Sequence, residues 1–206
     1  MEKEVKVVFH NHGLRSFIEV DLCRECPRQD GKGCCGNYSP VFYPVDLAYL
    51  TINKPELIDY IFSLKDATIL DASVTINNDI DGESYKCKFH STKNGCILSQ
   101  DLRESICRHF VCPGIGLWLN DDLKEWKMFF DKLFAYEIDL NNKLAARLAE
   151  KGLTLRNPAL RPDFMQELLR LYTIEVGSLP DFIKDFPQTE SRTITRSIEY
   201  NQEWPL

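Results

Sequence analysis

The sequence predicts an α+β fold in which a small cysteine-cluster metal-binding module with short strands is followed by a helical C-terminal part. Three observations predict it. All eight cysteines lie in the first 112 of 206 residues, as Cys23, Cys26, Cys34 and Cys35 and then Cys87, Cys96, Cys107 and Cys112. Around them, short β-branched and aromatic runs alternate with polar residues and are parted by Asn, Asp and Gly turns. Beyond about residue 116 the cysteines stop, and apolar residues recur three and four apart. The expected division is a cysteine-cluster domain over 1–116 and a helical extension over 117–206 that packs on it as one structural unit.

Apolar residues make up 44 % of the chain, enough for a chain of this length to bury a core without help from metal. Twenty-five lysines and arginines face 31 acids, a formal charge of −6, which argues against nucleic acid as a general partner. No stretch approaches the length of a membrane span, and no apolar run follows the charged start, so the expected location is cytoplasmic and reducing. Paired thiols in that setting are ligands more often than bridges, with four disulfides as the alternative.

At the N-terminus, Val5, Val7 and Phe9 alternate with polar neighbours, Asn11-His12-Gly13 turns, and Phe17 to Val20 returns, which is a hairpin delivering Cys23 at a strand end. Two thiolates in Cys23-x-x-Cys26 can share one ion, because the turn between them points both sulfurs into one small volume. Adjacent Cys34 and Cys35 diverge if they lie on a strand, so they need a tight turn or different ions. Ser39 to Pro44 is extended. Asp46 then caps a helix carrying Leu47, Leu50 and Ile52, and Pro55 opens another with Leu57, Ile58, Ile61 and Phe62 inward. Short strands follow from Thr68 to Phe89. Asp79-Ile-Asp-Gly lacks the ligand spacing of a calcium loop and reads as a hairpin turn.

Cys87 and Cys96, with Asn94-Gly95 between them, fit a second hairpin, and His90 inside it is a spare ligand. Leu102, Ile106 and Phe110 recur every four residues, so Asp101 to Phe110 reads as a short helix with Arg103 and Cys107 on one face. Arg103 and Arg108 are then placed to donate N–H groups to thiolates and offset their charge. From Asn120 or Asp121 to about Gly152 a long helix is expected, with Trp126, Phe130, Leu133, Tyr136, Leu140, Leu144 and Leu148 on one face. Pro162 to Val176 forms another. Its packing over the first part is the default, and a protein partner on the aromatic-rich helices is the alternative. The alternating Ile194, Arg196, Ile198 and Tyr200 suggest an edge strand that returns to the N-terminal hairpin.

The segments Cys23-x-x-Cys26, Cys34-Cys35-Gly36, Gly95-Cys96-Ile97-Leu98 and Arg103-x3-Cys107-Arg108-x-Phe110 together resemble the YkgJ-like cysteine-cluster family of zinc- or iron-chelating domains. Seven residues separate Cys26 from Cys34 where the family has about two, and Glu104 stands where it usually has proline. The resemblance covers about residues 20–113 and implies a metal-binding protein with iron, alone or as an iron-sulfur cluster, or zinc held by the clustered cysteines. Its redox or metal-handling role is undefined. The alternatives are a zinc-stabilised structural or protein-interaction module and an iron-dependent redox or protein-modification enzyme. Catalysis has the weaker case, since the chain carries no His-Glu-x-x-His, nucleophile elbow, phosphate loop or dinucleotide fingerprint.

Overall fold

The computed structural model describes residues 2–20, 34–82, 84–91, 95–111 and 115–197. Alternation at the N-terminus produces strand β1 (Glu2–His10), whose Val5, Val7 and Phe9 are fully buried. The chain turns through Asn11 to Arg15, where the Asn11 side chain accepts from Gly13 N–H and Gly13 takes a φ of +64°, and returns as β2 (Phe17–Val20). A third strand completes this sheet from the far end of the chain: β10 (Thr189–Ser197) pairs antiparallel with β1, setting Ile194 opposite Val5. Strand β1 is thus central, in the order β10-β1-β2. The expected return of the tail is observed up to Ser197, while Ile198 and Tyr200 lie outside the described residues.

A single helical turn, α1 (Cys34–Asn37), and strand β3 (Val41–Phe42) lead to α2 (Pro44–Asn53) and α3 (Pro55–Ser63). Helix α2 begins two residues before the expected Asp46. Tyr43 is its N-cap, and Asp46 sits at the third helical position with its carboxylate accepting from Tyr43 N–H at 3.2 Å. Leu47 and Leu50 are buried, but Ile52 is exposed. Strands β4 (Ala67–Ile69) and β5 (Val74–Ile76) join β3 in a second sheet, in the order β3-β5-β4. Two small hairpins follow. One is β6 (Asp79–Asp81) with β7 (Ser84–Lys86), the turn expected there, and the other is β8 (His90–Ser91) with β9 (Gly95–Cys96).

The short helix α4 (Ser105–His109) precedes the 27-residue α5 (Lys124–Glu150), then α6 (Arg161–Val176) and the one-turn α7 (Asp181–Lys184). Helix α2 packs against α3, α5 and α6, and so ties the second sheet to the helical part. Phe9 stacks on Trp126 of α5 at 4.9 Å, which seats the first sheet on the same core. The Asn11 amide donates to Ile183 and Phe186 carbonyls and fixes α7 beneath the β1–β2 turn. An α+β architecture with a helical C-terminal part is therefore observed, although among the described residues its first half holds no metal-binding cysteine cluster. Among the described residues, no helix is long and apolar enough to cross a membrane.

Helix α5 ends in a Schellman arrangement, with Gly152 N–H bonded to Ala149 O at 2.8 Å and Leu153 N–H to Leu148 O at 3.1 Å. Gly152 has φ +70°, and a Cβ there would meet nothing within 4 Å. Gly152→Ala should therefore lower stability by about 1 kcal/mol through backbone strain alone. A urea midpoint equal to that of the parent protein would contradict this reading.

Candidate functional site

The site is built around the segment between β9 and α4. Asp101 to Phe110 is not the continuous helix expected. A 3-10 turn over Gln100–Leu102 breaks off at Arg103, and α4 starts afresh behind Glu104. The cause is the Glu104 side chain, whose two carboxylate oxygens accept from Cys107 N–H at 2.7 Å and Ile106 N–H at 3.0 Å and so cap the new helix. Tyr38 donates its hydroxyl to the same carboxylate at 3.4 Å. Glu104 is 1 % exposed, and burial raises its pKa above the ordinary carboxylate value against the pull of the Cys107 side chain and those N–H groups.

Arg103, just before the cap, donates Nε–H to Leu98 O at 3.1 Å. Arg108 is completely buried and turns into the protein. It donates to Arg103 O at 3.1 Å, to Ser16 O at 2.8 Å and to Glu137 of α5 at 2.8 Å, so its donors serve carbonyls and a carboxylate rather than sulfur. Asp46 stands 3.9 Å from the same guanidinium and 2.5 Å from Arg15, while Ser105 donates its hydroxyl to Glu137. Arg15 also donates to Asp101 and Arg103 carbonyls and lies over the Tyr49 ring at 4.4 Å. These contacts bind the first sheet, α2, α4 and α5 into one ion-paired knot.

Outside that knot lies a cavity of about 340 Å³. Cys35, Cys87, Cys96 and Cys107, which carry thiols and not disulfides, all line it. They arrive from α1, from the residue after β7, from β9 and from α4, with Cys87 N–H donating to Cys35 O at 2.7 Å. Phe42, Phe89, Leu98 and Phe110 supply much of the remaining wall, and Tyr38, Arg103 and Glu104 supply its polar groups. His90 is not among the lining residues; it pairs with Cys96 across β8 and β9.

The metal reading is overturned here. Among the described residues, no group of three or more His, Cys, Asp or Glu side chains is placed to hold a metal ion. Thiolates on one tetrahedral zinc stand about 2.3 Å from the ion, which brings their sulfurs within roughly 4 Å of one another. Among the described residues, no three of the thiols that line the cavity meet that demand. Zinc, iron and an iron-sulfur cluster are accordingly withdrawn as cofactors and the metal ion as a partner. The zinc-stabilised module and the iron-dependent enzyme go with them. Cys23, Cys26, Cys112 and the Cys34 side chain lie outside the described residues.

Two residues of the site were missed in the sequence. Glu104 reads in the sequence only as the replacement of a proline, because Glu is not among the residues that ordinarily mark an N-cap. Glu137 falls between Leu133 and Leu140 on the apolar face of α5, and a carboxylate at a core position signals a buried cation partner.

Comparisons with protein-family models, with curated proteins and with solved structures found no match. The resemblance to the YkgJ-like cysteine-cluster family is corrected on this ground and on the absence of a metal-holding group among the described residues.

Proposed function

We propose that the protein binds a small, predominantly apolar molecule in the thiol-lined cavity. The observation that carries this reading is the convergence of four thiols and three phenylalanines, from segments far apart in sequence, on one cavity of about 340 Å³. That volume lies in the ordinary range for small-molecule sites, of about 300–1,000 Å³. Sulfur suits such a lining: a thiol is a small, polarisable, weakly hydrogen-bonding group that packs against apolar ligands at little desolvation cost. Arg103, Glu104 and Tyr38 are few enough to orient a ligand without making the site polar.

1-Octanol is a suitable probe. Its binding should slow alkylation of Cys96 and Cys107 by iodoacetamide at least several-fold, as mapped by mass spectrometry, and Cys96→Phe should abolish calorimetrically detected octanol binding by filling the cavity. Unchanged alkylation rates with no heat of binding would sink the proposal.

A further inference from the structure

Cys107 does more than fill the wall of the thiol-lined cavity, because its thiol donates to the Glu104 carboxylate. The same carboxylate accepts from the Cys107 backbone N–H at 2.7 Å, so one helix cap holds the sulfur and its acceptor together. Both residues line the cavity, and the Cys107 side chain is only partly buried. A thiol paired with a buried carboxylate, inside a space of ligand size, is an arrangement for nucleophilic chemistry.

Glu104 is suited to take the thiol proton. An ordinary carboxylate is a weak base toward a thiol, but burial raises the proton affinity of this one and narrows the gap between them. The thiolate is the reactive form of cysteine, and a base already in contact generates it during the attack. Arg103, the one cationic side chain among the described lining residues, and the Tyr38 phenol belong to the same wall. Donors of that kind favour an oxygen on which negative charge develops.

We propose that Cys107, with Glu104 as its base, captures an apolar α,β-unsaturated ketone or aldehyde as a covalent thioether. This rests on the apolar-ligand reading and names the ligand class. Glu104 takes the S–H proton while a sulfur lone pair forms the bond to the β-carbon. The C=C π pair then shifts to give an enolate, and its α-carbon takes the proton back from Glu104. No group leaves, and no oxidant, reductant or water is consumed. An ester or amide would instead require a departing group and then water to free the sulfur, which a wall carrying Phe42, Phe89, Leu98 and Phe110 supplies poorly.

The electrophile 3-octen-2-one and its saturated counterpart 2-octanone test the proposal on the full, reduced chain. Peptide mass spectrometry should find the adduct on Cys107 forming at least tenfold faster than on Cys35, Cys87 or Cys96. Its rate should saturate as the enone is raised, and 2-octanone should compete. In Glu104→Gln, whose amide oxygen can still accept at the start of α4, the limiting rate at saturating enone should fall at least tenfold. Labelling of Cys96 as fast as Cys107 in the parent protein overturns the nucleophile without recourse to a variant, and a heat of binding from 2-octanone then leaves the apolar reading standing. An unchanged limiting rate in folded Glu104→Gln overturns the role given to Glu104. Labelling that never saturates, with no heat from 2-octanone, overturns both proposals.

Discussion

Arg108→Met should lower the unfolding free energy by about 3–5 kcal/mol, because it strands the buried Glu137 carboxylate and leaves Asp46 to Arg15 alone. Arg108 is wholly buried, with Glu137 at 2.8 Å and Asp46 at 3.9 Å, and both carboxylates have almost no exposure. Methionine fills much of the volume and satisfies none of the charge. Ser16 O and Arg103 O lose their donors at the same time. Typical domains have only about 5–15 kcal/mol in total, so the loss is a large fraction of the whole. At about 2–4 °C per kcal/mol for a domain of this size, the melting temperature should fall by roughly 10 °C.

The cost comes from the uncompensated charge more than from the lost attraction. Adding Glu137→Met to Arg108→Met should therefore recover part of the loss, whereas Glu137→Met alone should itself destabilise by leaving Arg108 with less opposing charge. Thermal melts of the parent and three variants measure this cycle. Additive losses in the double variant, or a shift below about 3 °C for Arg108→Met, would show that the knot is not energetically coupled.

What could be read ahead of the structure was whatever depends on local periodicity. Val5, Val7 and Phe9 alternate, so β1 and its partner β2 were visible, and even the distant pairing of β10 could be read from the alternation around Ile194. The long helix was visible through Trp126, Leu133, Leu140 and Leu144, but a 3.6-residue period leaves positions 136 and 137 nearly equivalent. Tyr136, expected on the inward face, packs half-buried against the core, and Glu137 beside it is fully buried. Placing a carboxylate there requires knowing that Arg108 waits on the other side. The same limit governs the cysteines. Spacing shows that a thiol pair could chelate an ion, but where Cys35, Cys87, Cys96 and Cys107 stand relative to one another is decided by the packing of α1, β9 and α4. That packing spreads them around a cavity. Arg103 and Arg108 were assigned to thiolates on the strength of one continuous helix, and the cap at Glu104 breaks that helix and turns Arg108 inward.

His109 should make stability fall as pH drops below about 6.5. Its ring packs against Phe130 at 5.1 Å, Nε2 meets Ser16 O at 3.2 Å, and Nδ1 is buried without a hydrogen-bond partner among the described residues. Burial, and then the neighbouring Arg108 charge, push its pKa well below the ordinary 6.5. An unfolded chain thus takes up a proton that the fold refuses. The stabilisation is complete above about pH 6.5 and is lost toward the folded pKa, at up to about 1.4 kcal/mol per pH unit. Glu104 acts with the opposite sign. Its folded pKa is raised above 4.5, so its contribution is complete below that value and is lost as pH rises through the folded one. The two slopes oppose each other in the parent protein, which makes its own pH profile a poor test. His109→Gln separates them: glutamine can still donate to Ser16 O but does not titrate, and groups that titrate alike in both proteins cancel in the difference. Urea unfolding at pH 7.5, 6.5, 5.5 and 5.0 should show the parent losing stability relative to the variant below pH 6.5. Parallel profiles would mean that His109 is protonated as readily in the fold as in the unfolded chain.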